Sequence, residues 1–244
     1  MVKNYCQKHE LTFALIWILL YVSVVSPIQA KEGYGFRLLL ALALLSALAV
    51  SCLALLGLLK KILFRKWDGS ARQYLYFLPL FILSLGNLWG GIRMEGPESE
   101  RMLAVLCMLL VGFLEEVIFR GLLFWALLKK DGALPAVIIS AVTFGIGHIV
   151  NLLSGQTGPE TFLQILFAIG WGFLFTMTFY KSGSLLIPIL VHGIINASSL
   201  FSKAEGTSAM NLFHIACVLV VAILYCLYLR RLKTGLSEDP KPGS

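Results

Sequence analysis

The stretch GFLEEVIFRG, Gly112–Gly121, decides the fold. Glu115, Glu116 and Arg120 interrupt two runs, Met102–Leu114 and Val117–Leu128, that are otherwise almost wholly apolar. An ionisable residue in mid-span costs roughly 2.5–3.5 kcal/mol on insertion scales. Neither run alone reaches the roughly 20 residues needed to cross a bilayer, but the two joined do. At about 1.5 Å per residue the charges then lie roughly 20 Å from either end of one helix. Three ionisable groups at that depth must face a protein interior or a water-lined cavity, because lipid satisfies none of them.

The rest of the chain agrees with a membrane setting. Its 244 residues are 58% hydrophobic and only 14% charged, against about 25% charged in ordinary soluble domains. Apolar runs of spanning length recur, and the short alternating segments of a β-barrel do not. The sequence predicts an all-α, polytopic transmembrane helical bundle of about eight helices. The predicted spans are Leu11–Ala30, Phe36–Leu59, Gln73–Gly91, Met102–Leu128, Ala133–Leu153, Thr161–Tyr180, Ser184–Phe201 and Leu212–Leu229. They form one membrane domain over residues 1–234, with a motif-bearing core at about 102–201 and a disordered cytoplasmic tail at 235–244. Lys3 and Lys8 followed by a run ending in SPIQA look like a signal peptide. The run is long for one, and Ile28 suits a small-residue cleavage site poorly, so it is read as a retained span.

The formal net charge of +7 does not point to nucleic acid. The basic residues sit in short loops between apolar runs, as the positive-inside rule expects. Lys60, Lys61, Arg65, Lys66 and Arg72 form the most basic loop, which is placed in the cytoplasm. Alternation then puts Lys3, Lys8, Lys129, Lys130, Lys181, Arg230, Arg231 and Lys233 on the same side, and both termini with them. Only Lys31, Arg37, Arg93, Arg101 and Lys203 fall on the other side. The Lys60–Lys66 cluster is a topology signal that also suits anionic lipid headgroups. Cys6, Cys52, Cys107, Cys217 and Cys226 show no CxxC spacing and read as packing residues.

Helical spacing separates the three charges of the fourth span. Glu116 and Arg120 are i and i+4, share a face and can pair. Glu115 is rotated by about 100° and has no such partner on its own helix. One paired and one unpaired carboxylate side by side form a common acid–base arrangement. A structural ion pair accounts for Glu116 and Arg120, but not for Glu115. The fifth span carries TFGIGHIVN, in which Phe144 and His148 share a face and Asn151 follows one turn on. Gly145 and Gly147 there are expected to admit a close neighbouring helix. The seventh carries LIPILVHGIINAS, with His192 and Asn196 at i and i+4. Either histidine alone reads as an interhelical hydrogen-bonding residue. Buried polar groups on three helices together argue for one shared cavity. His9 precedes the first span, and His214 near the start of the eighth is expected at an interface.

E-E-x-x-x-R, F-x-x-x-H and H-x-x-x-N, in that order on separate spans, resemble the CPBP group of intramembrane proteases. That group includes the type II CAAX prenyl endopeptidases and the bacteriocin-processing and immunity-type proteins. The matching residues are Glu115, Glu116 and Arg120, then Phe144 and His148, then His192 and Asn196, within roughly Leu103 to Ser199. The resemblance implies an intramembrane endopeptidase, with a peptide or protein substrate at the membrane and a site opening toward the cytoplasm in the endopeptidase branch. It implies Glu115 as the residue activating water, assisted by His148, with His192 and Asn196 stabilising the oxyanion and Glu116, Arg120 and Phe144 orienting the site. His148, His192 and Glu115 could also make a zinc site with an open position. There is no H-E-x-x-H, and the site works equally on paper as glutamate-activated water without metal. The expected setting is the plasma membrane of a bacterium, with both termini cytoplasmic. Substrates left open are prenylated C-terminal peptides, peptide pheromones, bacteriocin leaders and membrane-protein tails. Two other readings compete: a proton-coupled carrier, whose paired interrupted helices are not visible, and a non-catalytic scaffold or immunity factor.

Overall fold

A computed structural model describes Cys6 and residues 8–63, 77–204, 207–231 and Leu236. Arg65, Lys66 and Arg72 of the basic loop, the start of the third predicted span, Lys3, Lys233 and all of the predicted tail but Leu236 lie outside the described residues. Among the described residues the fold is an all-α polytopic bundle with eight main helical elements. These are α1 (Glu10–Glu32), α2 (Phe36–Leu56), α3 (Leu78–Leu88), α4 (Glu98–Asp131), α5 (Ala133–Ser154), α6 (Gly158–Ser182), α7 (Leu186–Ser199) and α8 (Ala209–Arg230). Six of them are long and apolar enough to cross a membrane; α3 and α7 are shorter. Among the described residues the only β pairing is an isolated antiparallel bridge between Ile92 and Ser202.

Two of the eight predicted membrane helices are short among the described residues, the third span being described only from Phe77 onward. The fourteen residues of α7 rise only about 21 Å, against a hydrocarbon core of about 30 Å. Both of its ends are tied to other loops. The Leu185 N–H donates to the Ile62 carbonyl at 2.8 Å, and the Arg93 N–H donates to the Phe201 carbonyl at 2.9 Å. In α3, α-helical geometry runs from Leu78 to Ser84 and a 3₁₀ turn follows at Gly86–Leu88. At Gly86 a β-carbon would lie 2.0 Å from Nε2 of His214, so the glycine makes room for that ring. His214 is buried, with Nε2 3.1 Å from the Leu83 carbonyl, and it ties α8 to α3.

Helix α4 is the central pillar. Its middle turns, Val117–Phe124, adopt π-helical geometry, and all eight of those residues are buried. A π segment inserts a residue into the helical repeat and re-aims the side chains around it. It packs against α1, while the N-terminal half of α4 packs against α2 and α7. Close approach to α7 depends on Gly112, where a β-carbon would sit 3.0 Å from the Gly193 nitrogen. Helices α5 and α6 also meet closely. A β-carbon at Gly145 would lie 2.9 Å from the Ile169 nitrogen, and one at Gly172 would lie 2.8 Å from the Ala141 carbonyl oxygen. Gly147, expected at this contact, has nothing within 4 Å and faces a cavity. Helix α6 starts with a capping box in which Thr157 and Glu160 satisfy each other's backbone N–H groups.

The outward faces are apolar. Leu19, Leu44, Leu55, Ile223 and Leu224 are among many large hydrophobic side chains left exposed by the bundle. An apolar exterior on this scale belongs in lipid, so the chain is a multi-pass membrane protein. The five cysteines are free, Cys107 buried and the others half-buried.

Candidate active site

The two glutamates of α4 part company, as their spacing requires. Glu116 and Arg120 are fully buried and pair at 2.8 Å through Oε1 and Nη1. The other guanidinium nitrogens reach across to α6. Nη2 donates to the Gly172 carbonyl at 3.3 Å and Nε to Thr176 Oγ1 at 3.4 Å. The plane of the guanidinium is flanked by Phe144, 4.3 Å from its carbon to the ring centre, and by Phe175 at 5.3 Å. A buried cation needs a counter-charge and filled hydrogen bonds, and Arg120 has both. Phe144 is therefore a packing wall for Arg120, and it also meets His192 edge-on at 5.6 Å between ring centres.

Glu115 points the other way, toward α1. Its Oε1 accepts a hydrogen bond from the Tyr21 hydroxyl at 3.0 Å. Its Oε2 lies 3.4 Å from Nε2 of His192. His192 thus spans the two glutamates, because its Nδ1 is 2.8 Å from Oε1 of Glu116. A carboxylate only accepts, so the proton on that side is on Nδ1. The ring stacks on Phe175 at 5.1 Å, which fixes its plane.

His148 sits where the α-helical part of α5 passes into its 3₁₀ end. Its Nδ1 is 3.2 Å from the Phe144 carbonyl, its i−4 neighbour. An N–H donated there leaves Nε2 as a lone pair. The Asn196 amide reaches the Met108 carbonyl at 3.5 Å, a bond at the limit of useful length. Asn151 donates to Gln164 on α6 at 2.8 Å.

A cavity of about 610 Å³ runs through these groups. Glu115, His148 and Asn196 line it, with Tyr21, Val25 and Gln29 of α1 forming one wall. His192 lines a smaller adjoining space of about 130 Å³, which shares Phe144, His148 and Asn196 with the first. Glu115, His148, His192 and Asn196 are thereby brought together. Among the described residues no three His, Cys, Asp or Glu side chains converge as a metal-ligand group.

Sequence reasoning missed Tyr21, Phe175, Thr176 and Gln164. Tyr21 lies 94 positions from Glu115, beyond any helical periodicity. The α6 residues left a fainter signal, since Gln164 and Thr176 are polar groups inside a span. Counting amides and hydroxyls beside charges would have added α6 to the site.

Comparison with known proteins agrees with the motif-bearing region. Residues 97–198 match the family described as type II CAAX prenyl endopeptidase Rce1-like. This segment, which holds all three motifs, is thus similar to a family of CAAX-type membrane endopeptidases. The chain is also similar to "Putative membrane peptidase YdiL" of Bacillus subtilis (strain 168), with 29% identity over 143 residues. The alignment covers 53% of this chain and 54% of that protein, so the chain matches about half the length of its curated relative. Helix α1, which supplies Tyr21, lies outside the family match.

Proposed function

We propose that this protein is an intramembrane endopeptidase that hydrolyses a peptide bond with water activated by Glu115. The observation that carries the reading is the placement of the Glu115 carboxylate. It stands in the large cavity beside His148 and Asn196, with His192 Nε2 at 3.4 Å.

The groups divide the work by their hydrogen bonds. Glu115 takes a proton from water, and the resulting hydroxide attacks the carbonyl carbon of the scissile amide. The carbonyl π pair moves to oxygen. His192 and Asn196 stabilise that oxyanion through Nε2–H and the carboxamide N–H. Nδ1 of His192 is already committed to Glu116, so Nε2 carries a hydrogen only in the imidazolium form. Glu116 is the counter-charge for that form, and Arg120 holds Glu116 in place. Nε2 of His148, a lone pair, accepts a hydrogen bond from the attacking water. Collapse of the intermediate breaks the C–N bond, and the proton on Glu115 passes to the departing amine. Tyr21 positions Glu115 by holding one carboxylate oxygen, leaving the other for water.

Cleavage of a quenched fluorescent peptide library by the purified protein in detergent tests this directly. Wild type and Glu115→Gln are compared, each with and without a strong chelator. Cleavage by wild type that is lost in Glu115→Gln, with the variant still folded, is the expected result. Cleavage retained by the variant sinks the role of Glu115. Activity that disappears on chelation and returns with zinc replaces glutamate-activated water by a metal mechanism.

A further inference from the structure

Two expectations from the sequence conflict once the cavity is located. The basic loops mark the cytoplasmic end of the bundle, and the endopeptidase resemblance implies a site open to the cytoplasm. The cavity opens at the other end.

Contacts between distant loops fix the two ends. At the basic end, Lys129 of α4 pairs with Glu10 of α1 at 2.7 Å, and Lys61 stands 4.8 Å over the Trp125 ring. The α6–α7 turn joins them through Leu185 and Ile62. At the opposite end, the α3–α4 and α7–α8 loops meet through Lys203 and Gly91, 3.1 Å apart. The cavity mouth lies at this second end. It is bounded by Gly33 and Tyr34 between α1 and α2, Gly155 and Gln156 between α5 and α6, and Ser199 at the end of α7. From there the cavity descends to Glu115, midway along α4.

The lining has its own chemistry. Apart from Glu115 and His148, its polar side chains are uncharged: hydroxyls of serine and tyrosine and amides of asparagine and glutamine. They can pair with a peptide backbone, but among the described lining residues there is no arginine or lysine, and no carboxylate besides Glu115, to neutralise a charged side chain. A charge desolvated without a partner is strongly disfavoured.

We propose that the site takes uncharged stretches of extended peptide from the face of the membrane opposite the basic loops, the non-cytoplasmic face. The substrate class is then an exported peptide or the outer end of a membrane-protein segment, rather than a cytosolic lipidated C-terminus. This rests on the endopeptidase reading for its chemistry, and on charge bias and cavity position alone for its direction.

Thiol labelling separates the two. The full chain, with its five native cysteines replaced by serine, receives Ser154→Cys, Tyr34→Cys or Lys130→Cys. Spheroplasts are treated with a membrane-impermeant maleimide before and after permeabilisation. The two mouth positions should label at least tenfold more than Lys130→Cys in sealed spheroplasts, and all three should label once the membrane is opened. Preferential labelling of Lys130→Cys, or equal labelling of all three, overturns the proposed direction. The two mouth positions guard against one variant failing to fold. In the second arm, purified wild type is given a peptide it cleaves and versions with aspartate or arginine beside the scissile bond. Cleavage at least tenfold slower for both charged versions is expected, and equal rates overturn the uncharged preference. If no library peptide is cleaved, the endopeptidase reading and the substrate proposal fail together, while labelling still decides the direction.

Discussion

The division between Glu115 and Glu116 is set by single hydrogen bonds. Glu116 is spent on structure: one oxygen serves both Arg120 and His192. Glu115 keeps an oxygen facing the cavity because Tyr21 takes the other. A hydrogen bond to a charged group contributes about 1.5–3 kcal/mol, so Tyr21→Phe should lower kcat by roughly 10- to 100-fold. KM and the melting temperature in detergent should change little, since the ring stays in place. An unchanged kcat would show that Glu115 is held without the hydroxyl. Arg120→Leu should act differently. It leaves Glu116 buried beside His192 without its cation, a loss of about 3–5 kcal/mol for a broken buried pair. The melting temperature should fall together with activity. A variant that melts like the parent would mean the pair contributes no net stability. Glu115, Glu116, Arg120, His148, His192 and Asn196 were all legible as residues, because charged and imidazole groups stand out against apolar spans. Tyr21 was not, because a tyrosine in a span is ordinary and its partner is on another helix.

At the scale of elements, the site is held in place by close helix contacts. Helices α5 and α6 approach through Gly145 and Gly172, and Gly172 also presents a carbonyl to Arg120. Gly172→Val would press a branched side chain onto the Ala141 backbone, where the neighbouring atom cannot swing away. Overpacking of this kind costs about 1–3 kcal/mol, so the melting temperature should drop and peptide cleavage should fall with it. Gly147→Ala is the control: its β-carbon would meet nothing within 4 Å, and its melting temperature should match wild type. If the two variants melt alike, close contact at Gly172 is not what joins these helices. Hydropathy located each of the eight main helices, because apolar runs report burial in lipid or protein alike. It does not report helix length: α3 and α7 are apolar like the long helices but short among the described residues. It also treated Gly145 and Gly147 as equals, since a sequence cannot say which glycine meets a helix and which opens on a cavity.

For the whole molecule, orientation and stability rest on different forces. Helix α4 has 34 residues and is about 51 Å long, well beyond a hydrocarbon core of about 30 Å. It must tilt or extend its ends into the headgroup region, and its C-terminal end carries Lys129 and Lys130. These lysines are poor contributors to stability. The Lys129–Glu10 bridge is partly exposed, and such pairs contribute about 0–1 kcal/mol. As topology signals they are strong, because Lys and Arg in short loops bias which side stays in the cytoplasm. The two effects can be separated by changing Lys60, Lys61, Lys129 and Lys130 together to glutamine. The purified variant should melt within a few degrees of wild type. In cells, a reporter fused after the last residue should shift from one side of the membrane to a mixture of both. A reporter that stays wholly on the cytoplasmic side would mean that the remaining arginines and lysines suffice to orient the bundle. A reporter found outside in the unaltered protein would reverse the orientation and turn the cavity mouth toward the cytoplasm.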